Sequence, residues 1–103
     1  MPIVDLSTEF TTRYGQPMVD GGEPVTLRHV LFLALDATLP EDARIGPAGK
    51  LRLARTGLKI ASADEKADLA SETVAFLLER AANVVNALVY GQMVQALDPG
   101  QLA

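Results

Sequence analysis

"YGQPMVDGGEPVTL" (residues 14–27) sets three glycines and two prolines immediately before "RHVLFLALDA", the most apolar run of the chain. Such a segment either wraps a phosphate or turns the backbone and starts a helix. A phosphate loop of the Walker kind needs a glycine, four residues and then Gly-Lys-Ser/Thr, so that backbone N–H groups cradle the phosphate and the hydroxyl meets magnesium. Residues 14–27 contain no lysine. The segment therefore reads as punctuation, with extended chain before it and helix after it. That division implies an α+β fold, helix dominant, in which an N-terminal β-hairpin (1–25) packs on a bundle of three or four α-helices (26–98).

Upstream, Phe10, Thr12 and Tyr14 alternate with Thr11 and Arg13, the period of a half-buried strand, and β-branched and aromatic types suit a pleated surface. Gly15-Gln16 is expected to form a two-residue connection, with glycine supplying the positive φ of a type II′ turn. Pro17, Met18 and Val19 then return as a second strand, proline at its start or edge because it has no N–H to donate. Gly21-Gly22 is expected to break that strand. A two-stranded hairpin is marginal alone, so it should lie on the helices that follow.

Downstream, Thr26 is placed to cap a first helix over 27–38, its hydroxyl accepting from a free N–H of the first turn. Leu27, Val30, Leu31, Ala34 and Leu35 mark one face, but Phe32, Leu33 and Ala37 spread apolar surface round the others, so the helix is either central or part of a subunit interface. Pro47 suits the first turn of a second helix reaching 61 or 63. Here Leu51, Ala54, Leu58 and Ala61 form the expected inner stripe, widened by Leu53 and Ile60, with Arg52, Arg55 and Lys59 on the other side. "DEKAD" (64–68) reads as a polar connection. Ser71 could cap a third helix whose inner stripe is Val74, Leu77, Leu78 and Ala81. Asn83 or Asn86 could divide it from a fourth, with Leu88, Val89, Met93, Ala96 and Leu97 inward, before Asp98-Pro99-Gly100 stops the helix. One helix or two over 71–97 stays open from the sequence.

A chain of 103 residues fits one domain, 1–103, and its 49% hydrophobic content is the opposite of the signature of disorder. The net charge of -4 disfavours a phosphate backbone as partner, so nucleic acid is not expected. The absence of cysteine removes disulfides, thiolate metal sites and cysteine nucleophiles and suits a cytoplasmic setting. With no long apolar run and no basic-then-apolar leader in "MPIVDLSTEF", neither membrane nor export is expected.

No reactive constellation emerges. "GPAGKL" (46–51) imitates a phosphate loop, but Arg44 stands in place of the first glycine and Leu51 in place of the hydroxyl. His29 is the only histidine, so no two-histidine metal site forms within one chain. Glu41-Asp42 and Asp64-Glu65 fall in polar connections and read as solvated loop charge, since acid–base work needs a carboxyl shifted by burial. No catalytic, cofactor-binding or metal-ligating residue is assigned, and no cofactor is expected. Lys50, Arg52, Arg55 and Lys59 put four of the nine positive charges on one helix, which is either a docking strip for an acidic partner or an ordinary solvated face. Phe32, Leu33, Tyr90 and Met93 are the candidates for self-association into a homo-oligomer. Tyr90-Gly91 marks either close helix approach or mere tolerance of a glycine.

The order and spacing of "YGQP", "VTLRHVLFLAL", "GKLRLARTGLKI", "DLASE" and "LVYGQMVQAL" resemble a group of small proteins encoded by tailed bacteriophages and prophages. The resemblance covers most of the chain and carries over no catalytic residue. It implies a non-enzymatic accessory role through protein–protein contacts, around particle assembly. The alternatives are a small helical regulator that binds nucleic acid through the basic face of the second helix, and an enzyme whose site is assembled between subunits from His29 and carboxylates.

Overall fold

Two turns build the N-terminal region, and each follows from what the backbone can donate or which φ it can adopt. In the computed structural model, which describes residues 3–98 apart from the side chains of 41 and 43, Thr12 N–H donates to Gln16 O (2.8 Å) and Gly15 N–H to Thr12 O (3.0 Å). The connection is thus Arg13-Tyr14-Gly15, not Gly15-Gln16. A two-residue turn there would have needed an N–H from Pro17, which has none. Gly15 at φ +78° instead closes a three-residue loop in the left-handed position that such loops require. The second turn joins two short strands: β2 (Val19–Asp20) pairs with β3 (Glu23–Pro24), Val19 opposite Pro24 and Asp20 opposite Glu23. Gly21 and Gly22 have φ of +60° and +85°. Two successive positive φ values make a tight hairpin turn, so the glycine pair expected to end the strand reverses it instead.

Phe10 sits where these turns converge. Its N–H donates to Val25 O, Met18 N–H donates to Phe10 O, and Val25 N–H donates to Met18 O, each at 2.9 Å. The closed set of bonds satisfies the local backbone and leaves the Phe10 ring fully buried. β1 (Ile3–Asp5) pairs antiparallel with β4 (Lys66–Asp68), Val4 opposite Ala67. The polar "DEKAD" segment, expected as a connection, is therefore partly a strand. Ala67 and Leu69 point into the core while Lys66 and Asp68 face out, an alternation too short to outweigh the charged residues around it.

The helix-dominant α+β expectation holds. Helix α1 (Leu27–Asp36) starts at Thr26, whose hydroxyl accepts from His29 N–H. It ends two residues short of the expected boundary, where Ala37 turns extended. A 3-10 turn (Pro40–Ala43) leads to α2 (Gly46–Ser62). The chain over 71–97 forms two helices, α3 (Ser71–Ala81) and α4 (Ala87–Leu97), and Asn86 begins the second by accepting from Val89 N–H at 2.9 Å. Ser71 is the first residue of α3; Ala70 holds the cap position and offers no side-chain bond. Pro99 and Gly100, expected to stop α4, lie outside the described residues, but α4 ends at Leu97 as anticipated.

Helix α1 is the central one. It packs on both α2 and α3, α3 packs on α4, and α4 touches β1. One apolar cluster joins Leu6 and Phe10 to Leu27 and Leu31 of α1, Ile60 of α2, Leu77 of α3 and Met93 of α4. Each such side chain, removed from water, contributes about 2 kcal/mol. The hairpin is fastened to this bundle by Gln92. Its side-chain amide accepts from Thr11 N–H and donates to Thr11 O, both at 2.9 Å, imitating a strand neighbour.

Candidate docking face

Helix α2 begins with Gly46 at φ +66°, followed by Pro47, whose missing N–H costs nothing in a first turn. Gly49 lets the helix start close beneath Ile45: a Cβ there would stand 2.5 Å from the Ile45 Cβ. At the other end the Arg28 guanidinium donates to Ala63 O (2.8 Å) and to Asp64 O, taking up carbonyls just past the helix. Arg52 lies 4.1 Å over the Phe76 ring of α3, a cation–π contact that holds the helix on its side.

These anchors present a different face to the core from the one expected. At about 100° per residue, Ile60 and Leu53 point inward together with Gly49, Thr56, Gly57 and Ala63. Ile60 is the only residue of α2 that is fully buried. Leu51 and Leu58, expected inside, are 49% and 70% exposed, and Ala54 and Ala61, also expected inside, are exposed as well. The helix carries two apolar stripes, and the one with Leu53 and Ile60 faces the core; a Cβ on Gly57 would lie 3.9 Å from Leu35 Cδ1, so this side meets α1 at ordinary contact distance.

The outward stripe runs Leu51, Ala54, Leu58, Ala61 and is bordered by cations. Lys50 lies along one edge, Arg55 and Lys59 along the other, and all three are exposed, as is Arg52 further round. The strip read from the sequence therefore exists, but its four charges do not act as one patch. Arg52 is committed to Phe76, and Lys50 stands across the leucines from the others. No Asp or Glu occurs between Gly46 and Ser62.

The self-association candidates separate. Met93 is fully buried and belongs to the core, because α4 turns that side onto the bundle. Tyr90 is half-buried. Phe32 and the 47%-exposed Leu33 line a shallow groove with His29, Asp36, Ala37 and Val84 on the outer side of α1, which neither Tyr90 nor Met93 reaches. A Cβ on Gly91 would meet nothing within 4 Å, so that glycine marks no close approach.

His29 Nε2 lies 3.0 Å from Asp20 Oδ2, tying α1 to the hairpin in an exposed setting. Asp64 and Glu65 are exposed, as read. Asp42 is not ordinary loop charge. It meets Arg80, which is 5% exposed and donates from Nη1 to Asp42 Oδ1 (2.7 Å), from Nε to Ala34 O (3.0 Å) and from Nη2 to Ala37 O (2.9 Å). The Arg80 guanidinium, aided by Leu39 N–H, holds the Asp42 carboxyl below the usual carboxylate value. Arg80 was missed in the sequence because "LLERAAN" reads as an ordinary exposed helix end. Its three groups of acceptors come from residues 38 to 46 positions away. The arrangement closes the α1 C-terminus and locks the 3-10 turn beneath α2, so its effect is to position α2.

Among the described residues there is no group of three or more His, Asp or Glu side chains placed to hold a metal ion, and no helix long and apolar enough to cross a membrane. No protein-family model, curated protein or solved structure matches the chain. The face has to be read from its own chemistry.

Proposed function

We propose that this chain is a non-enzymatic accessory protein that binds other proteins through the outward face of α2. The reading accords with the phage and prophage proteins that its order of elements resembles, and particle assembly is the process it would serve. One observation carries it: Leu51 and Leu58 stand in water two helical turns apart on a helix anchored firmly from behind. Single exposed apolar side chains are commonplace, but a ridge of them along one helix, edged by polar groups, is the form of a protein contact. A nucleic-acid backbone would engage the cations and leave both leucines wet, so it makes no use of that ridge.

The test is a photo-reactive amino acid in place of Leu58, introduced in the source cell, with Glu72 on α3 as the control position. A discrete protein adduct from position 58, absent from position 72, supports the reading. No adduct at 58, or the same adducts from both positions, overturns it.

A further inference from the structure

The spacing of the outward stripe says what kind of partner it fits. Leu51, Ala54, Leu58 and Ala61 are separated by three, four and three residues, the a and d positions of a heptad pattern, with leucine at one and alanine at the other. In that register Lys50 falls at g and Arg55 at e, the positions that flank a helix–helix seam and choose its partner. We infer that α2 pairs with an acidic amphipathic helix of another protein, one with an apolar seam flanked by Glu or Asp. This rests on the reading of α2 as a protein-binding face and names its partner class.

Charge disfavours the simplest alternative, α2 of a second copy. Paired in parallel, Lys50 of one copy would face Arg55 of the other; paired antiparallel, g faces g and e faces e, and α2 offers only Lys50, Gly57, Arg55 and Ser62 at those positions. The parallel arrangement sets cation against cation across the seam, and neither arrangement offers an anion to offset the charge. All thirteen Asp and Glu residues of the chain lie outside α2, which holds four of its nine Lys and Arg. An acidic helix is repelled by the rest of the molecule and drawn to this one element. The alanines at d permit close approach, so a short seam can still bury both leucines.

The experiment uses the full chain, isotope-labelled, and three synthetic helical peptides that share one leucine seam and carry Glu, Gln or Lys at the flanking positions. Expected are amide shifts concentrated in residues 46–62, affinities in the order Glu, Gln, Lys, and weakening of the Glu peptide as salt rises. Leu58→Asp should lower the affinity for the Glu peptide by about tenfold or more, with an unchanged thermal melt showing that the fold is intact.

Equal affinity for the three peptides, no shifts with the Glu peptide, or shifts clustered off α2 would overturn the inference. So would concentration-dependent dimerisation abolished by Leu58→Asp, which would make a second copy the occupant. Shifts in α2 with anionic lipid vesicles but not with the Glu peptide would overturn it in favour of a membrane surface. A cellular adduct at position 58 combined with no peptide binding removes the acidic helix and leaves the broader contact reading standing; loss of the adduct removes that reading itself.

Discussion

Arg80 holds two backbone carbonyls and a carboxylate with one buried guanidinium. Arg80→Met takes the guanidinium donors from Ala34 O, Ala37 O and the Asp42 carboxylate, which keeps only Leu39 N–H, and should cost about 3 kcal/mol in urea unfolding. Arg80→Lys should recover little of this, since one ammonium cannot span a carboxylate and two carbonyls at once. Two glycines of α2 should respond oppositely to the same change. Gly57→Ala adds a methyl at ordinary contact distance from Leu35 and gains helix propensity, so it should stabilise by about 0.5–1 kcal/mol. Gly49→Ala drives its Cβ into the Ile45 Cβ and should destabilise despite the same gain, with Ile45→Gly, which removes that Cβ, relieving the clash in the double variant where Ile45→Ala would not. Thermal melts of the four proteins decide both points. Neither Arg80 nor Gly49 could be singled out from the chain alone, because what makes each of them matter is a neighbour's position.

At the scale of elements, helix starts were legible wherever a side chain supplies the cap. Thr26 and Asn86 both accept the N–H three residues on, the local bond that their residue types advertise. Ser71 advertises the same bond and does not make it, since the helix begins one residue earlier than that reading allows. Asn86→Ala should therefore cost about 1 kcal/mol, while Ser71→Ala should fall within about 0.5 kcal/mol of the parent, both measured by chemical denaturation. The candidate site was half legible. Its cations and its leucines were all visible in residues 50–59, but which stripe of α2 faced inward was not. Two apolar stripes on one helix have similar periodicity, and the seating of Gly57 beside Leu35 of α1 and the Arg52 contact with Phe76 of α3, both made between elements, distinguish them.

For the whole molecule, acid should unfold the chain through carboxylates that the fold holds ionised. The Asp42 carboxyl is lowered from 3.8 by the Arg80 hydrogen bond first and Leu39 N–H second, and Asp5 is lowered by the Ser7 hydroxyl and N–H. A depressed folded value means that the contribution is complete above 3.8 and is lost as pH falls through the lower folded value. The stability gap between the parent and Asp42→Asn should hence stay constant from neutral pH down to about pH 5 and shrink below about pH 4, read from urea unfolding across that range. A gap that is flat down to the most acidic pH tested would mean that Asp42 does not carry the effect. Residue order alone was enough to establish extended chain ahead of residue 26, helices behind it, and the absence of any motif of known chemistry, because these follow from local periodicity, capping and turn residues. Folding decided the rest: the pairing of residues 3–5 with 66–68, the burial of Arg80, and the exposure of Leu51 and Leu58. Those outcomes depend on contacts between segments tens of residues apart, where space and unpaired polar groups select one arrangement among several that local propensity permits equally.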